Sequence, residues 1–514
     1  MRKLYVKNHA KLSAGELVCA AALRRIRDFF IMDIIIELIR GGGTLTFPNA
    51  FYGFVWCFAQ CAGLLFILIY LHQFIYLIVG TFVRYKEKHI AKENHTIGVV
   101  ISARNESAVI GNLIKSVRAS NYPQDKIKIF VIADNCTDNT ADVCRSLGCI
   151  VFERHDETNI GKGYALHFLF EKLHTDPQYA DIVPEAYIVL DADNLIKPDF
   201  ISEMNRSFDS GYQMVTSYRN TKNFGANWIS AGYGYWFLHE ARHLSNCRRM
   251  FHLSCAISGT GFLISAQAVK EFDNWKFFTL TEDIECSTNF ALAGKKVGYN
   301  SDAELYDEQP VKFSQSWRQR ERWSKGFYQV FGKNGGKLIK GCFKSYSCYD
   351  ILTTIFPALF FTLSVLVVLP VCAIVAACIG DMQTAARAGL SLAESLSGML
   401  MLMIVICALT AATEWKKIKA PAYKKILYIF TFPIFMATYI PISVVAIFKK
   451  VEWKPINHTA AISLDELESG KGQLRTVSRP SRPTQHGKGM ISYNKRGTEK
   501  RAERGKKVNR VAVR

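Results

Sequence analysis

The chain has 514 residues, 49% of them hydrophobic, with a formal charge of +20 and 14 cysteines. That length holds one large domain plus additional segments. The cysteines form no CxxC pair and no zinc-like spacing, and Cys57, Cys61, Cys372 and Cys378 lie inside apolar runs; a disulfide framework and a cysteine zinc site are excluded in favour of small buried thiols in a reducing compartment. The first 50 residues do not read as a cleaved signal peptide. Leu23–Ile39 holds Arg24, Arg25, Arg27, Asp28, Asp33 and Glu37, too many charges to cross a bilayer, so an amphipathic segment lying on the membrane is expected over 1–50. No charge interrupts 41–82, which predicts a transmembrane helix over 51–83.

Strand and helix patterns then alternate. Ile97–Ser102 is an apolar strand followed by Ala103-Arg104-Asn105-Glu106. Lys128–Ala133 is the next, ending in Asp134-Asn135-Cys136-Thr137-Asp138. Cys149–Phe152 follows, and Ala186–Leu190 runs into Asp191-Ala192-Asp193. This spacing predicts a parallel sheet covered on both faces, with ligands at the carboxyl ends of its strands. Further apolar runs, Ile351–Gly380, Ser395–Thr413 and Ile426–Phe448, predict about three transmembrane helices over 348–450. As one helix the first would be about 45 Å long, too long for a straight crossing, and Pro357 and Pro370 offer a kink. Residues 471–514 hold fourteen Lys and Arg against two Glu, so 465–514 is expected to be a disordered basic tail, attracted to anionic lipid or polymer or simply solvated. Three C-terminal crossings put this tail and the lysines between Lys416 and Lys425 on opposite sides, against the positive-inside preference.

Several motifs carry chemistry. Two carboxylates separated by one small residue behind a buried strand suit a divalent cation bridging a diphosphate. Asp134 at a strand end can accept hydrogen bonds from a nucleoside, or can close an Asx-turn. Lys162 lies between Gly161 and Gly163 and suits a diphosphate contact, although the spacing is not that of a P-loop. Asp283 in Thr281-Glu282-Asp283 suits a general base at a helix start. Gln319, Arg322 and Trp323 follow a helical pattern in which Arg can grip phosphate and Trp can stack on a sugar; an interfacial anchor uses the same residues. His239-Glu240-Ala241-Arg242-His243 is a literal HExxH, so a membrane zinc protease is an alternative from another class, without the downstream third histidine of the longer motif. A membrane scaffold recruiting partners through its basic tail is a third.

The stretches Val100–Glu106, Val131–Thr140, Asn159–Leu166, Asp191-Ala192-Asp193, Thr281-Glu282-Asp283 and Gln319–Trp323, in this order, resemble the family-two inverting glycosyltransferases. More narrowly, they resemble the membrane-embedded processive synthases of cellulose, hyaluronan, chitin or poly-N-acetylglucosamine. The resemblance implies an α/β fold of GT-A (Rossmann-like) type, a mixed and mostly parallel sheet covered by helices and embedded in a multi-pass α-helical membrane protein. It implies a cytoplasmic domain over 95–335 at the plasma membrane, with an interfacial helix near 313–335. It implies Ala103, Asn105, Glu106, Asp134, Lys162 and Asp191 on the nucleotide, Asp193 on Mg²⁺ or Mn²⁺, Asp283 as base, and Glu282, Gln319, Arg322 and Trp323 on acceptor and diphosphate. The implied partners are a UDP-sugar, weakly an N-acetylhexosamine, a polysaccharide acceptor, the bilayer and accessory export proteins, with no nucleic acid. Transfer of a single sugar to a lipid or protein is the alternative within the same chemistry.

Overall fold

The computed structural model describes residues 47–451 and 462–469, all within one compact unit. Residues 1–46 of the amphipathic segment expected over 1–50 therefore lie outside the described residues, as does the tail from 470 onward. Where the disordered tail was expected to begin, Leu464–Glu468 is instead a short helix with a Ser463–Glu466 capping box. Leu464, Leu467 and Ile462 pack on Leu195 and Tyr306, and that burial is why the order extends past 465.

Among the described residues, four helices are long and apolar enough to cross a membrane: Ala50–Phe82, Phe360–Cys378, Met382–Thr413 and Ala422–Phe448. In the first three only 17% of the most apolar window is buried by protein. Their outward Phe54, Leu68, Ile374 and Leu400 form the continuous apolar surface that a bilayer covers. Two boundaries differ from expectation. The long run from Ile351 is not one helix: Tyr346–Ile355 ends at Phe356 and Pro357–Cys378 begins there, because the residue before a proline avoids the helical region. The helix expected at Ser395 starts at Met382, and Arg387 pairs with Glu394 across 3.5 Å, which lets one helix carry both charges.

The sheet among the described residues has eight strands: β1 (Ile97–Ala103), β2 (Ile127–Asp134), β3 (Ile150–Arg154), β4 (Ala186–Asp191), β5 (Leu195–Ile196), β6 (Met214–Thr221), β7 (Phe262–Ser265) and β8 (Val297–Asp307). Their order is β3-β2-β1-β4-β7-β6-β8-β5. The first four are parallel, β7 is antiparallel to both β4 and β6, and β6 is parallel to β8. The expected mixed, mostly parallel sheet is therefore present. One face buries Val100, Phe130, Val189 and Phe170, and the other buries Val99, Ile101, Ile188 and Leu113. Apolar side chains on both faces explain why these strands read as unbroken apolar runs. In register, Ser102 lies opposite Asp191 and Ala103 opposite Ala133, so the polar turns after β1, β2 and β4 share one edge.

Candidate active site

At that edge the turns are tied to each other. Asn105 adopts φ 60°, and its Oδ1 accepts the Thr137 N–H at 2.7 Å. The Glu106 N–H donates to Thr140 Oγ1 at 3.0 Å, and Cys136 Sγ reaches the Ala103 carbonyl at 3.4 Å. Asp134 is 4% exposed and accepts Arg154 Nη1 at 2.6 Å. Burial nevertheless holds its pKa above the usual carboxylate value, against the lowering by Arg154. The Asx-turn belongs to Asp138, which caps Thr140 and accepts the Ser107 N–H.

The pair after β4 has two environments. Asp191 Oδ1 accepts Lys162 Nζ at 2.5 Å, while its carboxylate keeps 39% exposure. Asp193 is buried, and its Oδ2 accepts the Glu308 N–H at 2.8 Å. Next to Glu308 lies buried Asp307, whose Oδ2 binds Arg219 Nε at 2.6 Å and whose Oδ1 has no hydrogen-bond partner among the described residues. An all-oxygen set of carboxylates with an unsatisfied buried oxygen beside it fits a hard divalent cation such as Mg²⁺ or Mn²⁺.

The loop Ser258–Gly261 stands between this pair and the second acidic cluster. Lys162 Nζ donates to the Gly259 carbonyl at 2.7 Å, and Thr260 Oγ1 accepts the Asp191 N–H at 2.9 Å. Gly259 and Gly261 have φ of +78° and +67°. A Cβ on Gly261 would meet Leu305 at 1.9 Å, and one on Gly259 would lie 3.8 Å from Asp283 Oδ2. Space excludes a side chain at Gly261, positive φ disfavours one at both glycines, and the Gly259 backbone lies close to Asp283.

Thr281-Glu282-Asp283 opens the helix Glu282–Leu292. Burial raises the pKa of both Glu282 and Asp283, even though the Ile284 N–H, Arg322 and Lys162 act to lower Asp283; desolvation here outweighs the helix N-terminus. Glu285, fully buried, is a structural anchor, accepting the Thr279 N–H at 3.0 Å and pairing with Lys333.

The helix Phe313–Cys342, longer than the 313–335 expected, clamps this turn. Arg322 Nη1 donates to the Leu280 carbonyl at 3.0 Å, and Gln329 Oε1 accepts the Leu280 N–H at 2.9 Å. Trp323 is part-buried against Tyr233 and Phe237, at ring-centroid separations of 5.7 and 6.3 Å. Gln319 Oε1 is buried with no partner among the described residues. Arg320, unmentioned in the motif reading, is wholly buried and donates to the Phe435 carbonyl and Thr438 Oγ1, joining this helix to the last membrane helices.

The HExxH does not form a zinc site. Glu240–Ser245 is a π-helical turn, yet the two histidines still face each other. His239 and His243 are buried with Nδ1 atoms 3.2 Å apart, and burial pushes His239 down to about 4. Glu240 accepts Ser258 Oγ at 2.6 Å. Neither histidine belongs to a group of three metal-ligating residues among the described residues. Sequence reasoning missed Arg154, Arg219, Asp307 and the Ser258–Gly261 loop; only the last carried a local signal, two glycines around Thr260.

Residues 95–326 match the family model described as "Glycosyltransferase like family 2". The chain is 25% identical to Probable glycosyltransferase YdaM of Bacillus subtilis over 285 residues, covering 51% of this chain and 64% of that protein. It is 25% identical to Beta-monoglucosyldiacylglycerol synthase of Synechocystis over 239 residues, covering 45% and 48% respectively. It is 27% identical to Poly-beta-1,6-N-acetyl-D-glucosamine synthase of Staphylococcus epidermidis over 311 residues, covering 56% and 70%. The chain thus spans less than two thirds of the length of the first two relatives.

Proposed function

We propose, from the premise that residues 95–326 form a glycosyltransferase domain of family two using a nucleotide-sugar donor, that this chain moves a sugar from a UDP-sugar to a growing polysaccharide. Transfer inverts the anomeric carbon, repeats on the same chain and feeds product across the membrane. The domain, about 95–335, faces the cytoplasm, where UDP-sugars are made, and the four apolar helices hold it at the plasma membrane.

The observation that carries this reading is the Ser258–Gly261 loop, which touches Asp191 through Lys162 and Thr260 and approaches Asp283 on its other side. A donor lying along the sheet edge has its nucleotide among Ala103, Asn105, Glu106 and Asp134, and its diphosphate near Asp191, Asp193 and Lys162. Asp193 and Asp191 would hold Mg²⁺ or Mn²⁺, which when bound offsets the charge gathering on the departing diphosphate. Asp283 takes the proton of the acceptor hydroxyl, and its raised pKa makes it a better base than an exposed carboxylate. Arg322 positions the turn bearing Glu282 and Asp283, and Gln319 and Trp323 border the acceptor.

The Synechocystis relative, named for a glucosylated diacylglycerol, favours a second reading: one sugar transferred to a lipid. Membranes supplied with a panel of UDP-sugars separate the two by product size. A long polymer supports processive extension; a product bearing one added sugar replaces it with the lipid reading.

A further inference from the structure

The opposite edge of the sheet holds a cluster that the transfer reaction does not use. Glu93 and His95 lie in the segment joining Ala50–Phe82 to β1, Asp209 ends the helix Phe200–Asp209, and Glu185 precedes β4. One ligand atom from each of Glu93, His95 and Asp209 lies within 4.8 Å of the others. His95 Nε2 is 3.1 Å from Asp209 Oδ1 and 3.9 Å from Glu93 Oε1. Tetrahedral zinc with arms of about 2.0–2.2 Å needs donors roughly 3.3–3.6 Å apart, a separation these two distances bracket.

The other nitrogen supplies the independent argument. His95 Nδ1 lies 2.7 Å from Glu185 Oε2, so both ring nitrogens face carboxylates. A neutral imidazole donates only one hydrogen bond. Either the ring carries an extra proton, or Nδ1–H serves Glu185 while Nε2 meets a cation. The second arrangement is the carboxylate–histidine–metal relay, in which the outer carboxylate fixes the tautomer. Phe208 stands edge-on to the imidazole at 4.8 Å and further fixes it. Asp209 is oriented from outside: His89 Nε2 and the Lys92 N–H reach its Oδ2 at 2.6 and 2.9 Å.

We propose that Glu93, His95 and Asp209 bind Zn²⁺, with Glu185 and His89 as positioning residues, and that the ion pins the segment 83–96 between the membrane helix and the sheet. A ligand set of one histidine and two carboxylates suits a borderline cation better than Mg²⁺. The site is separate from the catalytic pair, since Glu185 and Asp191 lie at opposite ends of β4.

The test uses the full chain in detergent, stripped by chelator and kept in excess Mg²⁺, then titrated with Zn²⁺, and with Co²⁺ for its tetrahedral absorption. We expect one ion per chain beyond any bound by a His95→Gln variant, with affinity falling at least 10-fold in Asp209→Asn and 10–100-fold in Glu185→Gln, the range for outer-shell partners. Zinc should also slow tryptic cleavage at Arg84–Lys92 in the wild type and not in His95→Gln. Circular dichroism and elution volume identify a variant that fails to fold. Equal uptake by folded wild type and His95→Gln, with cleavage insensitive to zinc, would overturn the site and leave a protonated histidine between carboxylates.

Discussion

The two acidic clusters on the catalytic edge differ in how the fold treats their charge. Asp191 and Asp193 end a strand, and the protein meets them with donors: Lys162 on one, the Glu308 N–H on the other. Glu282 and Asp283 begin a helix, form no ion pair among the described residues, and burial raises both. A carboxylate met by hydrogen-bond donors suits a cation and a diphosphate. One made reluctant to stay charged suits taking up a proton. On the proposed reading, local environment alone separates leaving-group stabilisation from proton removal.

The widest gap between the clusters should appear on exchanging Asp283 for Asn. We expect kcat to fall by about 10²–10⁴, the usual worth of general-base catalysis, with UDP binding retained by calorimetry. A variant keeping most of its rate would erase the distinction. A smaller effect tests packing. A Cβ on Gly326 would lie 2.5 Å from Thr281, so Gly326→Ala should push the Thr281–Asp283 turn at a cost of about 1–3 kcal/mol. A lower melting temperature with kcat lowered more than KM is expected; unchanged kcat would show that the turn's position matters little.

The pH profile gives the smallest and sharpest signal. The base acts deprotonated, so the rate falls as pH drops through its pKa. Since burial raises that pKa above the ordinary 3.8, the acid limb of kcat/KM should lie above the normal carboxylate range. In Arg322→Lys the limb should stay, and in Arg322→Ala it should move to still higher pH, because the guanidinium lowers Asp283. An acid limb at an ordinary carboxylate value would place the base elsewhere.

Local pattern made the strand ends visible. Apolar runs bounded by polar turns predicted β1, β2 and β4, and with them Asn105, Asp134 and Asp191. What joins those residues arises from pairing distant in sequence. Arg219 on β6 reaches Asp307 on β8, and Arg154 on β3 reaches Asp134 on β2; no periodicity announces either. The HExxH misled because two facing histidines need a third ligand, which they do not have among the described residues, and no local pattern announces that. The run from Ile351 was legible as too long for one straight crossing, and the break falls at Phe356 before Pro357, one of the two prolines that offered a kink.

The division of labour is tested most directly by titrating UDP with and without Mn²⁺ into the wild type, Asp193→Asn and Asp283→Asn. The account predicts that Mn²⁺ strengthens UDP binding in the wild type and in Asp283→Asn, and that Asp193→Asn loses that gain. Metal-assisted binding unchanged in Asp193→Asn, or lost in Asp283→Asn, would contradict it.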